Sequence, residues 1–203
     1  MSYRNYRSGN TTPVLVIIVL CLLVYVAMEA AIRLMGYNLL PLLGLQTASF
    51  LSKPWTIVTN LFVHGGLMHL MFNMFTLYFF GTFLIRLVGV RDFLIIYFGG
   101  GILGNIFFML FATIGFLTSP DSIVVGASGA IFALGGTLAV LTPKVKVYVF
   151  PIPAAMPLWV AVIGGFVLVS FMGGVAWQGH LGGLVFGLIY GLILRGNVRT
   201  PLA

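Results

Sequence analysis

Long apolar runs alternate along this chain with short polar or charged breaks, and that alternation predicts its elements. The runs are Val14 to about Met35, Leu67–Leu87, Phe93–Leu117, Gly126–Leu141, Ala154–Met172 and Gly179–Leu194. Each is close to the ~17–25 residues that an α-helix needs to cross ~30 Å of hydrocarbon. The pattern therefore predicts an all-α polytopic membrane protein with six transmembrane helices. Pro13 opens the first run, which is longer than the ~7–15 residues of a signal h-region and is followed by no A-x-A site, so it reads as retained. Residues 36–66 form a long connection broken by Pro41, Gly44 and Pro54, still rich in Leu and Phe. It is expected to lie partly in the outer leaflet, with Trp55 as an interface anchor. The organisation is thus a tail (residues 1–12), a membrane domain (13–195) and a second tail (196–203).

Composition supports lipid as the main solvent. Of 203 residues, 61% are hydrophobic and only 6% charged, too few charges to cover a soluble domain. The net charge of +7 does not indicate nucleic acid, because the Lys and Arg residues stand in ones and twos at span ends. Counted by side, Arg4 and Arg7, Arg86 and Arg91, Lys144 and Lys146, and Arg195 and Arg199 fall on alternate connections. The other side carries Arg33 and Lys53, with Asp121. The positive-inside rule then puts both termini in the cytoplasm, in agreement with an even number of spans. Glu29 and Arg33, four residues apart, suit an ion pair near the end of the first span. Cys21 is the one cysteine, which excludes an internal disulfide and a CxxC metal site.

With that topology the second, fourth and sixth spans begin at the extracytoplasmic side, and their first turns carry polar residues: His69 and Asn73, Ser128, and His180. Polar groups at membrane depth are costly and mark a bundle interior or a water-filled cavity. His69 and Asn73 share one helix face; taken alone, they also fit a pair of ties between helices. Asn60 and His64 read as residues that hold the turns of the loop. Ser128 lies within Gly126-Ala127-Ser128-Gly129, and His180 is the other titratable group placed to take its proton, as nucleophilic attack by a hydroxyl requires. His180, Gly183, Gly187 and Gly191 lie on one stripe of small residues that lets helix backbones approach, with Gly135 and Gly136 as possible counterparts. Backbone N–H groups in the first turn at Ser128 lack intrahelical acceptors and favour an anion; Asn73 and His69 are available as further donors.

Exclusions narrow the chemistry. The carboxylates are Glu29, Asp92 and Asp121, none placed to complete a triad, so a Ser–His dyad is the better expectation. There is no intramembrane aspartate pair, no HExxH and no phosphate-binding loop; no metal or cofactor is implied.

Three pieces, Gly126-Ala127-Ser128-Gly129, His69-Leu70-Met71-Phe72-Asn73, and His180 with Gly183 and Gly187, occur in this order on these spans. In them the chain resembles the rhomboid intramembrane serine proteases over nearly its full length, in the six-helix form found in prokaryotes. The resemblance implies hydrolysis of a peptide bond within or beside the transmembrane segment of a single-span membrane protein. It assigns Ser128 as nucleophile, His180 as base, and Asn73, His69 and the Ser128 amide as oxyanion hole, with Gly126, Gly129, Gly183, Gly187 and Phe132 in support. It implies a multi-pass protein of a prokaryotic plasma membrane whose site opens to the extracytoplasmic side. The fifth span and the connection Gly173–Gln178 would be gate and cap, with Phe171, Met172 and Trp177 as lid or interface side chains. Departures from the family pattern are Thr56 after Trp55 where Arg is frequent, Arg86 where an acidic residue is common, Phe132 where Tyr is frequent, and Gly179 where Ala is usual. A silent rhomboid-like scaffold and a transporter are the alternatives; relatives of the silent kind typically lack the Ser or the His. The residues leave the oligomeric state open.

Overall fold

The structure, a computed structural model, describes residues 9–149, 154–170, 172 and 174–196. Arg4, Arg7, Phe171, Gly173 and Arg199, which entered the topology and lid expectations, lie outside the described residues. The helices are α1 (Thr12–Met35), α2 (Leu40–Leu43), α3 (Thr56–Thr59), α4 (Leu67–Val88), α5 (Val90–Thr113), α6 (Ser128–Leu141), α7 (Leu158–Ser170) and α8 (Trp177–Arg195). Two short antiparallel ladders accompany them, β1 (Leu45–Gln46) with β2 (Ile123–Val124) and β3 (Lys146–Tyr148) with β4 (Ala155–Pro157).

Among the described residues, four helices, α1, α4, α5 and α8, are long and apolar enough to cross a membrane. The other two anticipated spans are shorter than the apolar runs suggest. Helix α6 has 14 residues, because Gly126 takes φ 122° and the helix begins only at Ser128. Helix α7 has 13 residues, because Ala155–Pro157 pairs with Lys146–Tyr148 and uses up the start of the run. At ~1.5 Å per residue each is about 20 Å long, short of a ~30 Å hydrocarbon layer. Helix α5 stops at Thr113, four residues before the end of its apolar run: Gly115 and Leu117 are left-handed (φ 68° and 56°) and reverse the chain.

The centre of the bundle is a seam between α6 and α8. A Cβ added at Gly183 would collide with the Gly129 carbonyl, and one at Gly187 with the Ala133 carbonyl. One at Gly191 would stand 3.2 Å from Thr137 Cα. Both helices advance four residues per step, so they run parallel and start at the same end. Thr137 Oγ1 donates to the Gly187 carbonyl across the seam at 3.0 Å, where both partners are buried. Gly136 also faces α8, but Gly135 faces Phe80 of α4 and Val162 of α7. Helix α5 packs against both α6 and α8 and runs antiparallel to α8, with Gly104 against Gly179 and Gly182 against Leu103.

Helix α1 buries Val14, Ile17, Cys21 and Met28, a single stripe, and exposes Val19, Leu23 and Val26. Such large apolar side chains face outward at no cost where the surroundings are lipid. Glu29 and Arg33 form the expected ion pair at 3.0 Å, exposed on both sides. At the end of the bundle remote from Ser128, Tyr190 Oη donates to Asp92 Oδ1 at 3.0 Å, tying α8 to α5. Arg86, Arg91 and Arg195 lie in terminal turns at this same end, and Lys144 and Lys146 follow α6 there.

The seam generates a test. Gly187→Ala forces a methyl into the Ala133 carbonyl and is expected to cost about 1–3 kcal/mol. Gly164→Ala, on α7 with nothing within 4 Å, is expected to be neutral or slightly stabilising. Thermal unfolding midpoints in detergent distinguish the two.

Candidate active site

Ser128 is the first residue of α6 and follows a tightly specified turn. Ala127 is fully buried, and the Gly126 N–H donates to the Asn60 carbonyl at 2.9 Å. A side chain at Gly126 is excluded twice: its φ lies in the left-handed region, and a Cβ there would stand 2.8 Å from His69 Cε1 and Nε2. The same position would be 3.6 Å from Ser128 Oγ, so the His69 ring and the Ser128 hydroxyl flank one glycine.

The connection 36–66 braces this turn. Leu45 and Gln46 pair with Val124 and Ile123, two residues ahead of Gly126. Asn60 and Asn105 exchange amide hydrogen bonds of 2.8 and 2.9 Å, and Asn105 Nδ2 also donates to the Ile57 carbonyl. Asn60 is therefore structural, as expected. The Thr56 departure leaves the loop anchored by other means: Trp55 Nε1 donates to the Leu42 carbonyl, Lys53 Nζ to that of Pro41, and Thr59 Oγ1 to that of Leu43.

Ser128 Oγ lies 2.7 Å from His180 Nε2, across 52 positions of sequence. His180 is in the first turn of α8 and 6% exposed. The seam makes this contact possible, since it brings the starts of α6 and α8 together with no Cβ between them. Phe132 packs against the imidazole, with ring centroids 4.8 Å apart and planes at 37°. Replacement of the usual Tyr therefore keeps the ring contact and loses only the hydroxyl. The Gly179 departure has no steric cause, because a Cβ there meets nothing closer than 3.7 Å.

No protein group among the described residues bonds His180 Nδ1. The carboxylates are engaged elsewhere or remote: Glu29 with Arg33, Asp92 with Tyr190, and Asp121 exposed in the loop before β2. Among the described residues, no group of three His, Cys, Asp or Glu side chains is arranged to hold a metal ion.

The residues expected as oxyanion donors, His69 and Asn73, share no hydrogen bond between their side chains among the described residues. His69 is beside Gly126, as described. Asn73 is buried, and its Nδ2 donates to the His69 carbonyl at 2.9 Å, one turn back on α4. An amide nitrogen carries two hydrogens, so this bond orients the group and leaves one donor. Gly129, Gly183 and Gly187 are seam residues. Trp177 packs edge-on against Phe111 of α5, with centroids 5.4 Å apart, and Met172 is exposed.

Two contributors are absent from the sequence-based expectations. Asn105 is a buried amide in the middle of an apolar run, the same signal that marks Asn73. The glycines of α5, from Gly99 to Gly104, form a second small-residue face; a Cβ on Gly100 would collide with Ala133.

His64 is 3% exposed and its ring meets His69 edge-on, with centroids 5.1 Å apart. Burial, and secondarily the neighbouring His69, push the His64 pKa down from 6.5 to about 4.

A family model described as "Rhomboid domain" matches residues 51–197. The chain is 29% identical over 166 residues to the mitochondrial rhomboid protein 1 of Saccharomyces cerevisiae, covering 74% of this chain and 44% of that protein. It is 39% identical over 102 residues to the putative rhomboid protease YdcA of Bacillus subtilis, covering 50% and 44%. It is 29% identical over 185 residues to the rhomboid protease GluP of the same organism, covering 90% and 34%. The matches thus span less than half the length of these relatives.

The buried His64 predicts a pH dependence. Its folded pKa is depressed, so the unfolded chain binds more protons as pH falls below about 6.5, the unperturbed imidazole value. Its contribution is intact above that pH and is lost progressively as pH falls toward 4. Unfolding midpoints are expected to drop between pH 7 and pH 5, and His64→Phe should flatten that slope.

Proposed function

The chain belongs to the rhomboid family, and from that premise we propose that it is an intramembrane serine endopeptidase acting through a Ser128–His180 dyad. The observation that carries the reading is the 2.7 Å contact between Ser128 Oγ and His180 Nε2. With Nε2 unprotonated, the hydroxyl donates to it. As Oγ attacks the substrate carbonyl carbon, its proton passes to Nε2, and the imidazolium then returns it to the leaving amine. Water repeats the sequence on the acyl-enzyme. A carboxylate usually stabilises the imidazolium in such sites; here the face of Phe132, within about 6 Å, offers a weaker cation–π substitute.

The tetrahedral oxyanion would be met by the Ser128 backbone N–H, free at the first turn of α6, together with His69 and the second hydrogen of Asn73. The basic end of the bundle supports a cytoplasmic placement of that end, and hence a site opening on the extracytoplasmic side of a prokaryotic plasma membrane. The short α6 supports a dyad set below the membrane surface. A peptide bond in a helix is shielded by its own hydrogen bonds, so substrates are expected to be single-span proteins whose segment unwinds locally. The 13-residue α7, with few buried side chains, is the element best suited to make way for them.

A silent scaffold is the competing reading within this family, and its expected mark, a missing Ser or His, is not present. The test is cleavage of a single-span substrate co-reconstituted in liposomes. Ser128→Ala and His180→Ala should each abolish it, while Asn73→Ala should lower kcat by about 10²–10³. Cleavage that persists in His180→Ala would rule out the dyad.

A further inference from the structure

Histidine ring torsions are broad, so a base held by one hydrogen bond needs packing to fix its orientation. His180 is such a base: Nε2 meets Ser128 Oγ, and no protein group among the described residues bonds Nδ1. Its ring is instead steadied by Phe132, and Phe132 has a second aromatic neighbour. Phe166 of α7 meets it edge-on, with centroids 5.8 Å apart and planes at 89°.

That contact is the main inward tie of the second half of α7. The buried side chains of this helix are Leu158 and Val162, both within its first five residues. Val162 lies against Gly135 of α6. Beyond Val162, Phe166 is the α7 side chain that packs on the hydrophobic core, whereas Val167 and Leu168 face outward.

We infer that Phe166 is a positioning residue for the base: the row Phe166–Phe132–His180 transmits the position of α7 to the orientation of the imidazole at Ser128. The inference rests on the proposed dyad. It separates two roles for α7 that are otherwise conflated. An α7 that only obstructs the substrate would leave a more reactive serine when its side chains are trimmed. An α7 that also props Phe132 would leave a less reactive one.

The experiment measures the second-order rate at which a small soluble fluorophosphonate modifies the full chain in detergent. Edge-to-face pairs are modest in strength, so Phe166→Ala is expected to slow modification about three- to tenfold. Phe166→Leu, which keeps apolar volume but removes the ring edge, should show a similar loss. The double variant Phe132→Ala/Phe166→Ala should be no slower than Phe132→Ala alone, as expected of two residues acting in series. With a single-span substrate the loss should fall on kcat and leave KM unchanged. A Phe166→Ala rate equal to or above wild type overturns the inference, as do losses that multiply in the double variant or a loss confined to KM. A wild-type chain left unmodified at Ser128 defeats the dyad itself, and the inference with it.

Discussion

Two helices that touch through their backbones leave no freedom in where their side chains meet, and the contact between α6 and α8 is of this kind. Gly183 and Gly187 of α8 lie against the Gly129 and Ala133 carbonyls of α6 so closely that a single methyl has no place. In lipid, helix association has no hydrophobic driving force and relies on such packing and on interhelical hydrogen bonds, here from Thr137 to Gly187. Once the two helices are in register and parallel, their first turns are adjacent. Ser128 and His180 then need only the correct rotamers to meet. The contact between Ser128 and His180 is thus a consequence of the seam.

The turn before Ser128 depends on a different set of constraints. A residue with positive φ pressed against an imidazole must be glycine, and its N–H is held by the Asn60 carbonyl. Asn60 is in turn held by Asn105, and the flanking strand by Leu45 and Gln46. Buried amides that satisfy one another in this way are costly to break singly, which fixes the loop 36–66 against α5. His180 is held otherwise, by one hydrogen bond and by aromatic packing, and under the proposed dyad this division makes α7 relevant to the chemistry. The turn before Ser128 is braced by hydrogen bonds, whereas the His180 side leans through Phe132 on α7, whose buried side chains are Leu158 and Val162.

The apolar runs made the helical membrane fold legible, and polar residues at membrane depth made the grouping of Ser128 with His180 legible. Residue types at membrane depth carry that information directly, because a histidine costs too much in an apolar helix to stand there without a polar partner or a task. Helix lengths were less legible, because hydropathy does not register a glycine at φ 122° or a strand pairing at Ala155–Pro157. Asn105 carries the same signal as Asn73, but its partner, Asn60, lies in a loop where an amide is unremarkable. The contact of Phe166 with Phe132 was not accessible to pattern at all. An aromatic residue in an apolar run is the commonest of observations, and only its edge-on placement against Phe132 gives it meaning.

Activation of Ser128 by His180, without a third charged partner, is the claim on which the proposed chemistry stands. The most direct measurement is peptide mapping by mass spectrometry after treatment of the reconstituted protein with a fluorophosphonate. A single adduct on Ser128, absent from the His180→Ala variant, is the predicted result. An adduct on another residue, or one on Ser128 undiminished in His180→Ala, would contradict it.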